Sequence, residues 1–470
     1  MTLSVINSIE KNDLESNYWN ENPLFKERFN DGEENIYMKS PGASLIVLVK
    51  HKEYKNIIGS WFENFFLPQG YPQSVSDDYI NYQIWDTAQA FCSTFTGVAA
   101  TQEVLKSLGV GDITATFYGA TVTWILKTVS GQMGGIAFAY SYGSYLDAYS
   151  KKWRLIADIF NDLALCLELA LPLYIHLTPL VLCVTSAMKA VVGIAGGATK
   201  SAMIHHHAIR GNAADVSAKD SVQETAVNMI SSVIAIFLLP FLSFPALVFL
   251  SMIIFHIFSN YMAVRSLCLK TFNDTRYLQV IDMFLKKQLI LDPSVVNMEE
   301  PLNLWEFDTP TLDKKICGFQ IQIGKSLSTV HNKIKDVKLW MFIKNIYKNN
   351  NYILFPDTEE KIMYLYIKDN ITSEELLRGY FHAVELASVI STTNNQISPI
   401  FQNNTDMSFL KICESMKNAE WKKSIDLNVI TYVYLMVEKD WEVLCTELKK
   451  KGWDLNKHLL IADEWRITSN

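Results

Sequence analysis

The chain has 470 residues, 49% of them hydrophobic and only 19% charged, and a formal net charge of −7. The acidity is mild and dispersed, with no long basic run, which argues against a nucleic-acid partner. Seven cysteines without a CxxC pair do not make a disulfide framework or a zinc site.

The opening residues, MTLSVINSIEKNDLES, lack a basic n-region and an apolar h-region, so no cleaved signal peptide is expected. Residues 1–40 are polar and are expected to be partly disordered, and Ser44 to Val49 (SLIVLV) predicts a short strand. Residues 1–60 are read as an N-terminal cytosolic segment. From Tyr79 to Asp274 the pattern is helix after helix, broken at Gly109–Asp112, around Ser150, near Pro179, at Gly211–Asn212 and at Pro240–Pro245. Ala, Gly, Leu, Ile and Phe dominate from Ile113 to Met262. A membrane span needs about 20 apolar residues, and these segments are long enough. The expectation over residues 61–290 is a mainly α, polytopic helical membrane bundle.

Residues separated by 62 positions match without a gap. Lys127, Val129, Gly131, Gly134 and Gly135 recur as Lys189, Val191, Gly193, Gly196 and Gly197; Asp158, Asn161, Asp162 and Ala164 recur as Asp220, Gln223, Glu224 and Ala226. Asp86 and Gln89 look like a degenerate third copy of the acid-amide cluster. An internal two-helix repeat follows, either for packing alone or as the route to a membrane site. If every helix crosses, Lys151, Lys152, Arg154, Arg210, Lys219, Arg265, Lys270 and Arg276 share one side, while the turns near Thr178 and Pro240 carry no Lys or Arg. The positive-inside rule then puts both termini of a multi-pass protein of about six helices in the cytosol, with Lys106 fitting poorly. Asn273, Asn370 and Asn403 begin N-x-[ST] sequons that are expected to stay free of glycan.

Residues 301–470 read as a small α+β domain of ferredoxin-like type. Strands are predicted at Phe319–Ile323, Tyr352–Phe355, Ile362–Ile367 and Leu459–Ile467, and helices at Glu374–Ile390 and Asn428–Lys450.

Several motifs together resemble a known family. They are LPQGYPQSVSDDYINYQIWD from Leu67 to Asp86, Ala100-Thr101-Gln102, Gly109-Val110-Gly111-Asp112, Trp153-Arg154, Asn161-Asp162-Leu163-Ala164, Gly193 to Thr199 (GIAGGAT) and Ala213 to Thr225. In this order, over residues 60–290, they are similar to the ROOT UVB SENSITIVE proteins, with Lys200 standing where arginine is expected. The resemblance implies a eukaryotic membrane protein. Plant members are linked to ultraviolet-B responses, early seedling development and vitamin B6 homeostasis, and two of them act as a complex. It brings no established reaction and no catalytic residues.

Chemistry has few candidate places. Gly131, Gly134 and Gly135 share a helix face, as do their copies, and such faces let helices approach closely. The functional alternative is a midplane site for an anionic small molecule, with Lys127 and Lys189 supplying charge beside Gly134, Gly135, Gly196 and Gly197. A lysine could also form a Schiff base with pyridoxal phosphate, an idea that only the family's vitamin B6 link suggests. Asp158, Asn161 and Asp162, with Asp220, Gln223 and Glu224, read as helix caps and interhelical hydrogen bonds, or as a polar gate or cation path. His205, His206 and His207 are consecutive, point in different directions on a helix, and are expected to form a wet interfacial cluster without metal. No GxSxG, HExxH, P-loop or dinucleotide fingerprint is present, so neither enzyme activity nor a cofactor is expected. Two functions remain. One is a transporter-like protein in small-molecule homeostasis. The other is a membrane scaffold that recruits partners, another family member or a second copy among them, through the C-terminal domain. A ligand-sized cavity lined by Lys127 and Lys189 would favour the first, and an exposed apolar patch on the C-terminal domain the second.

Overall fold

The computed structural model describes residues 24–28, 34–39, 46–51, 63–110, 117–242, 245–302, 304, 311–331, 337–393 and 427–468. The start of the chain, Gly111, Asp112 and Asn403 lie outside the described residues. The chain forms two compact units, Met1–Ile80 with Ile204–Met229, and Asn81–Met203 with Ile230–Asn470.

In the first unit, β1 (Phe25–Arg28), β2 (Glu34–Lys39) and β3 (Ile46–His51) form an antiparallel sheet in that order. Two of these strands fall in the stretch expected to be partly disordered. Their cause is local: Ile36 is buried, and Tyr37 sits opposite Phe25 and donates its hydroxyl to Glu27 Oε2 at 2.8 Å. The strand expected at Ser44–Val49 forms as β3. A separate apolar cluster of this unit joins Val75, Tyr79 and Val216, with Leu67, Tyr71 and Ile204 against it.

The helical run is α1 (Tyr79–Ser107), α2 (Phe117–Tyr142), α3 (Ser150–Leu169), α4 (Thr178–His207), α5 (Ala213–Leu238) and α6 (Pro245–Ser266). The predicted breaks have their usual causes. Gly109, at φ +83°, takes the chain out of α1 in a left-handed conformation that costs a residue with Cβ about 1–2 kcal/mol. Prolines open α6 and the short turn after α5. Three helical stretches, Ile175–His207, Ala213–Phe241 and Pro245–Ser266, are long and apolar enough to cross a membrane by length and composition. α3 is not of that kind: it carries Lys151, Lys152, Arg154, Asp158, Asp162 and Glu168, and buries four of its charged and hydrogen-bonding side chains deeply.

Of the basic residues used to orient the chain, Lys151, Arg154, Arg265 and Arg276 meet internal partners, while Arg210 and Lys270 are exposed. Lys151 is buried, donating to Leu267 O at 2.8 Å and Asn297 Oδ1 at 2.7 Å. Arg154 pairs with Asp86, Arg276 with Glu300 at 2.9 Å, and Arg265 binds the carbonyls of Met298 and Glu300. Their positive charge answers protein groups, so it says little about lipid headgroups. The sequon asparagine Asn273 is likewise fully buried. Its amide nitrogen donates to Ala148 O, and its oxygen caps the next helix by accepting from Arg276 N. It is closed to glycan on either side of a membrane, whereas Asn370 is exposed.

β4 (Thr271–Phe272), α7 (Asp274–Lys287), α8 (Pro293–Glu299) and α9 (Thr311–Cys317) lead into the C-terminal part. It comprises β5 (Gln320–Ile323), α10 (Val337–Ile346), β6 (Tyr352–Asp357), β7 (Ile362–Ile367), α11 (Ser373–Thr393), α12 (Leu427–Lys450) and β8 (Asp454–His458). The sheet runs β5-β7-β6, with β5 parallel and β6 antiparallel to β7. A ferredoxin-like sheet is four-stranded and antiparallel, so that expectation fails. The last strand also differs. Polar Asp454–His458 pairs in parallel with β4, held by Phe272 stacked on Trp453 at 4.1 Å, and Ile467 makes only an isolated bridge to Lys368. One core runs from Phe272 through Tyr277, Ile281 and Phe284 of α7 to Phe381 of α11 and Leu444 of α12. The C-terminal core thus begins before residue 301.

Candidate functional site

A chain of polar and ionisable side chains runs through the second unit between α1, α3 and α6. Their sequence spacing explains how they meet. Asp86 and Gln89 are three apart on α1, Arg154, Asp158 and Asp162 are four apart on α3, and His256 and Asn260 are four apart on α6. Each set therefore lines one face of its helix. His256 Nδ1 lies 2.8 Å from Asp162 Oδ2, and its Nε2 lies 2.9 Å from Gln89 Oε1. The Gln89 amide nitrogen donates to Asp86 Oδ1 at 3.2 Å, which fixes Oε1 toward the ring. Arg154 donates to Asp86 at 2.9 Å and reaches Asp158 at 4.0 Å, and Asn260 donates to Asp158. Asn161 donates to Ser93 Oγ at 3.1 Å and Tyr82 to Asp86 at 3.4 Å. Asp86, Gln89, Asp162, His256 and Asn260 are all buried.

The arrangement constrains protons. Both ring nitrogens of His256 face acceptor oxygens, an arrangement that suits a ring donating from both. The named side chains include three carboxylates against one guanidinium and one imidazole. A neighbouring cation or an extra proton is favoured in such a set. Buried ionisable groups are costly unless paired and cluster at functional sites, which makes the network the leading place for function.

The first-copy acids and amide, Asp158, Asn161 and Asp162, all join this network. Asp220, Gln223 and Glu224 do not: they lie in the first unit, where Gln223 donates to Phe66 O at 2.6 Å, Asp220 is buried and Glu224 is exposed. The lysines meet a different acid. Lys189 Nζ lies 2.5 Å from Glu168 Oε2, a carboxylate buried on α3. Lys127 lies over the Trp124 ring at 4.6 Å and feels the charges of both Glu168 and Lys189. The two lysines therefore gather at one acid, yet the cavity the structure shows, about 320 Å³, is lined by other residues, Tyr149, Asp274 and Asp313 among them.

The glycines divide. A Cβ on Gly134 would stand 2.8 Å from Ala187 Cβ, and one on Gly135 3.1 Å from Ile194 Cδ1, so α2 packs tightly on α4. Gly196 and Gly197 have nothing within 4 Å of such a Cβ and are not at a tight crossing. The histidine run also differs from a wet cluster. Asp78 draws in His206 Nε2 at 2.8 Å and His207 Nδ1 at 3.5 Å, with Ser76 Oγ 2.6 Å from the latter. Sequential side chains reach one carboxylate because α4 ends there. These three residues can offer ligand atoms to one metal ion, since the atoms lie within 4.8 Å of one another. Their hydrogen bonds already account for the grouping, and no metal is assigned.

Comparison with known proteins follows from these motifs. The family model described as the vitamin B6 photo-protection and homoeostasis domain matches residues 52–288, and that of the Root UVB sensitive protein C-terminal region matches 289–469. The chain belongs to the Root UVB sensitive family. It is similar to Protein root UVB sensitive 3 of Arabidopsis thaliana, 32% identical over 76% of this chain and 82% of that protein. RUS family member 1 of Dictyostelium discoideum is 39% identical over 61% of this chain and 55% of its own length. Protein root UVB sensitive 2, chloroplastic, of Arabidopsis thaliana is 27% identical over 73% of this chain and 77% of its own. No solved structure matches. Within the family region lie Asp86, Arg154, Asp162 and the residues that sequence reasoning passed over: His256, Asn260 and Glu168. The signal available for His256 and Asn260 was a lone ionisable or amide side chain in an apolar helix, whereas Glu168 sits on α3 among other charged residues.

Proposed function

We propose that this Root UVB sensitive protein is a transporter-like, multi-pass membrane protein in small-molecule homeostasis, moving a vitamin B6 form, and that it performs no catalysis. The reading rests on the buried Asp162–His256–Gln89–Asp86 chain between helices. A protonatable pair inside a helical bundle suits coupling of transport to a proton. The Lys127, Lys189 and Glu168 cluster supplies charge for an anionic vitamer in the same reading. The test is uptake of radiolabelled pyridoxal into proteoliposomes with an imposed pH gradient. The intact protein should exceed empty vesicles severalfold, and His256→Gln and Asp162→Asn should each lose the gradient-driven part. Uptake equal to that of empty vesicles for pyridoxal, pyridoxine and their phosphates rejects the transport reading.

A membrane scaffold is the second reading. Val337 and Met341 on α10, and Leu435 and Val443 on α12, expose apolar side chains in the C-terminal part. Such surfaces suit another family member or a second copy of this chain. In that case a mutant of His256 keeps full activity in cells, and Leu435→Lys loses it.

A further inference from the structure

Away from the helical network, the cavity of about 320 Å³ opens where Tyr145 and Tyr149 before α3 and Asp274 of α7 meet Asp313 of α9, β5 and Tyr380 of α11. Its acids are each held by one oxygen only. Asp313 Oδ2 accepts from the backbone N–H of Ile321 at 3.0 Å, and Asp274 Oδ1 accepts from the Tyr149 hydroxyl at 2.7 Å. The other oxygens, Asp313 Oδ1 and Asp274 Oδ2, and the Tyr380 hydroxyl make no hydrogen bond among the described residues. All three residues are more than nine-tenths buried. Buried polar groups are nearly always paired, so three unpaired ones in the lining of a single cavity lack partners that a bound ligand would supply. The cavity's lysine, Lys325, is already paired with Asp463 at 2.6 Å, and both are substantially exposed.

We propose that this cavity binds a small primary amine, whose ammonium is held by Asp313, Asp274 and Tyr380 and whose apolar body lies against Tyr145 and Ile323. An ammonium carries three N–H donors and a positive charge, which matches three unpaired oxygens, two of them carboxylate. The volume is at the small end of ligand sites, which limits the guest to roughly the size of one aromatic ring with a short arm. Burial pushes the Asp313 carboxyl up to about 8, with the Asp274 charge adding to the shift, and burial raises Asp274 as well. The pair thus resists carrying two unbalanced charges, and an entering cation removes that resistance.

The experiment uses the full chain in detergent micelles, with benzylamine as probe and benzyl alcohol and benzoate as matched neutral and anionic controls. Benzylamine in the millimolar range should raise the melting temperature and show saturation-transfer NMR signals, while the controls do neither. Asp313→Asn, whose side-chain oxygen can still accept from Ile321, should weaken benzylamine at least tenfold. Tyr380→Phe, which leaves both acids in place, should weaken it severalfold and keeps the test open if the aspartate variant fails to fold. Lys286→Met, at a surface pair with Asp282, should bind as the parent does. Equal effects of benzyl alcohol, unchanged binding by both cavity variants, or a calcium-induced shift in place of the amine effect overturn the proposal.

Discussion

Gly134→Ala and Gly196→Ala make one chemical change at two positions related by the 62-residue offset, and the structure gives them opposite expectations. A Cβ at Gly134 would meet Ala187 Cβ at 2.8 Å and Ala187 Cα at 3.1 Å. Neither atom belongs to a flexible side chain, so α2 and α4 must move apart. Overpacking of this kind costs about 1–3 kcal/mol. A Cβ at Gly196 meets nothing within 4 Å. Both residues lie inside helices, where replacing Gly by Ala gains up to about 1 kcal/mol, and that gain cancels between the two variants. The pair should therefore differ by about 1–3 kcal/mol, with Gly196→Ala at or above the parent and Gly134→Ala below Gly196→Ala. Equilibrium unfolding in mixed micelles measures the difference. Two variants of equal stability would falsify the tight α2–α4 crossing, and a less stable Gly196→Ala would refute the open environment on α4.

Two further outcomes follow. Glu385 is fully buried with neither carboxyl oxygen paired among the described residues, and burial, helped by Asp440, holds its pKa far above the ordinary 4.5. The folded state keeps a proton that the unfolded chain loses above 4.5, so this group costs stability increasingly as pH rises; Glu385→Met should gain about 1–3 kcal/mol at pH 7, with a smaller gain at pH 4 in the same melts. Lys189→Met leaves Glu168 buried beside Lys127 alone and should lower protein abundance, read by immunoblot, with recovery in the Lys189→Met, Glu168→Gln double variant.

Much of the fold was legible because its elements are local. Gly109, Pro179, Gly211 and the prolines before α6 mark chain breaks by backbone chemistry, and β6 and β7 announce themselves as apolar runs. What failed depended on pairing across distance. β8 is too polar to read as a strand and exists because β4, nearly two hundred residues earlier, needs a partner. Lys151, Arg154 and Arg276 also meet partners far along the chain, Asn297, Asp86 and Glu300, which no local pattern announces. Part of the polar network was visible, as Asp158, Asn161 and Asp162 on α3 and Asp86 and Gln89 on α1. Its histidine was not, because one His in an apolar helix has no pattern; only the structure supplies Asp162 and Gln89.

Residues matched by the 62-residue offset do not share their surroundings. Both copies keep lysine and glycine at matching positions, yet Gly134 is at a tight crossing and Gly196 is not. Both keep an acid-amide-acid set, yet the two sets take different partners: Asp158, Asn161 and Asp162 meet Asn260, Ser93 and His256, whereas Gln223 donates to Phe66 O and reaches the Tyr79 hydroxyl at 3.5 Å. Ser93, His256 and Asn260 lie outside the repeated residues, and Asp86 and Gln89, which join them, look like a degenerate third copy of the acid-amide cluster. A site whose parts come from one full copy and from residues outside both copies has no symmetry-related twin to share its task. In the proposed transport reading the proton-handling pair therefore joins one repeated acid, Asp162, to a histidine that neither copy contains, His256.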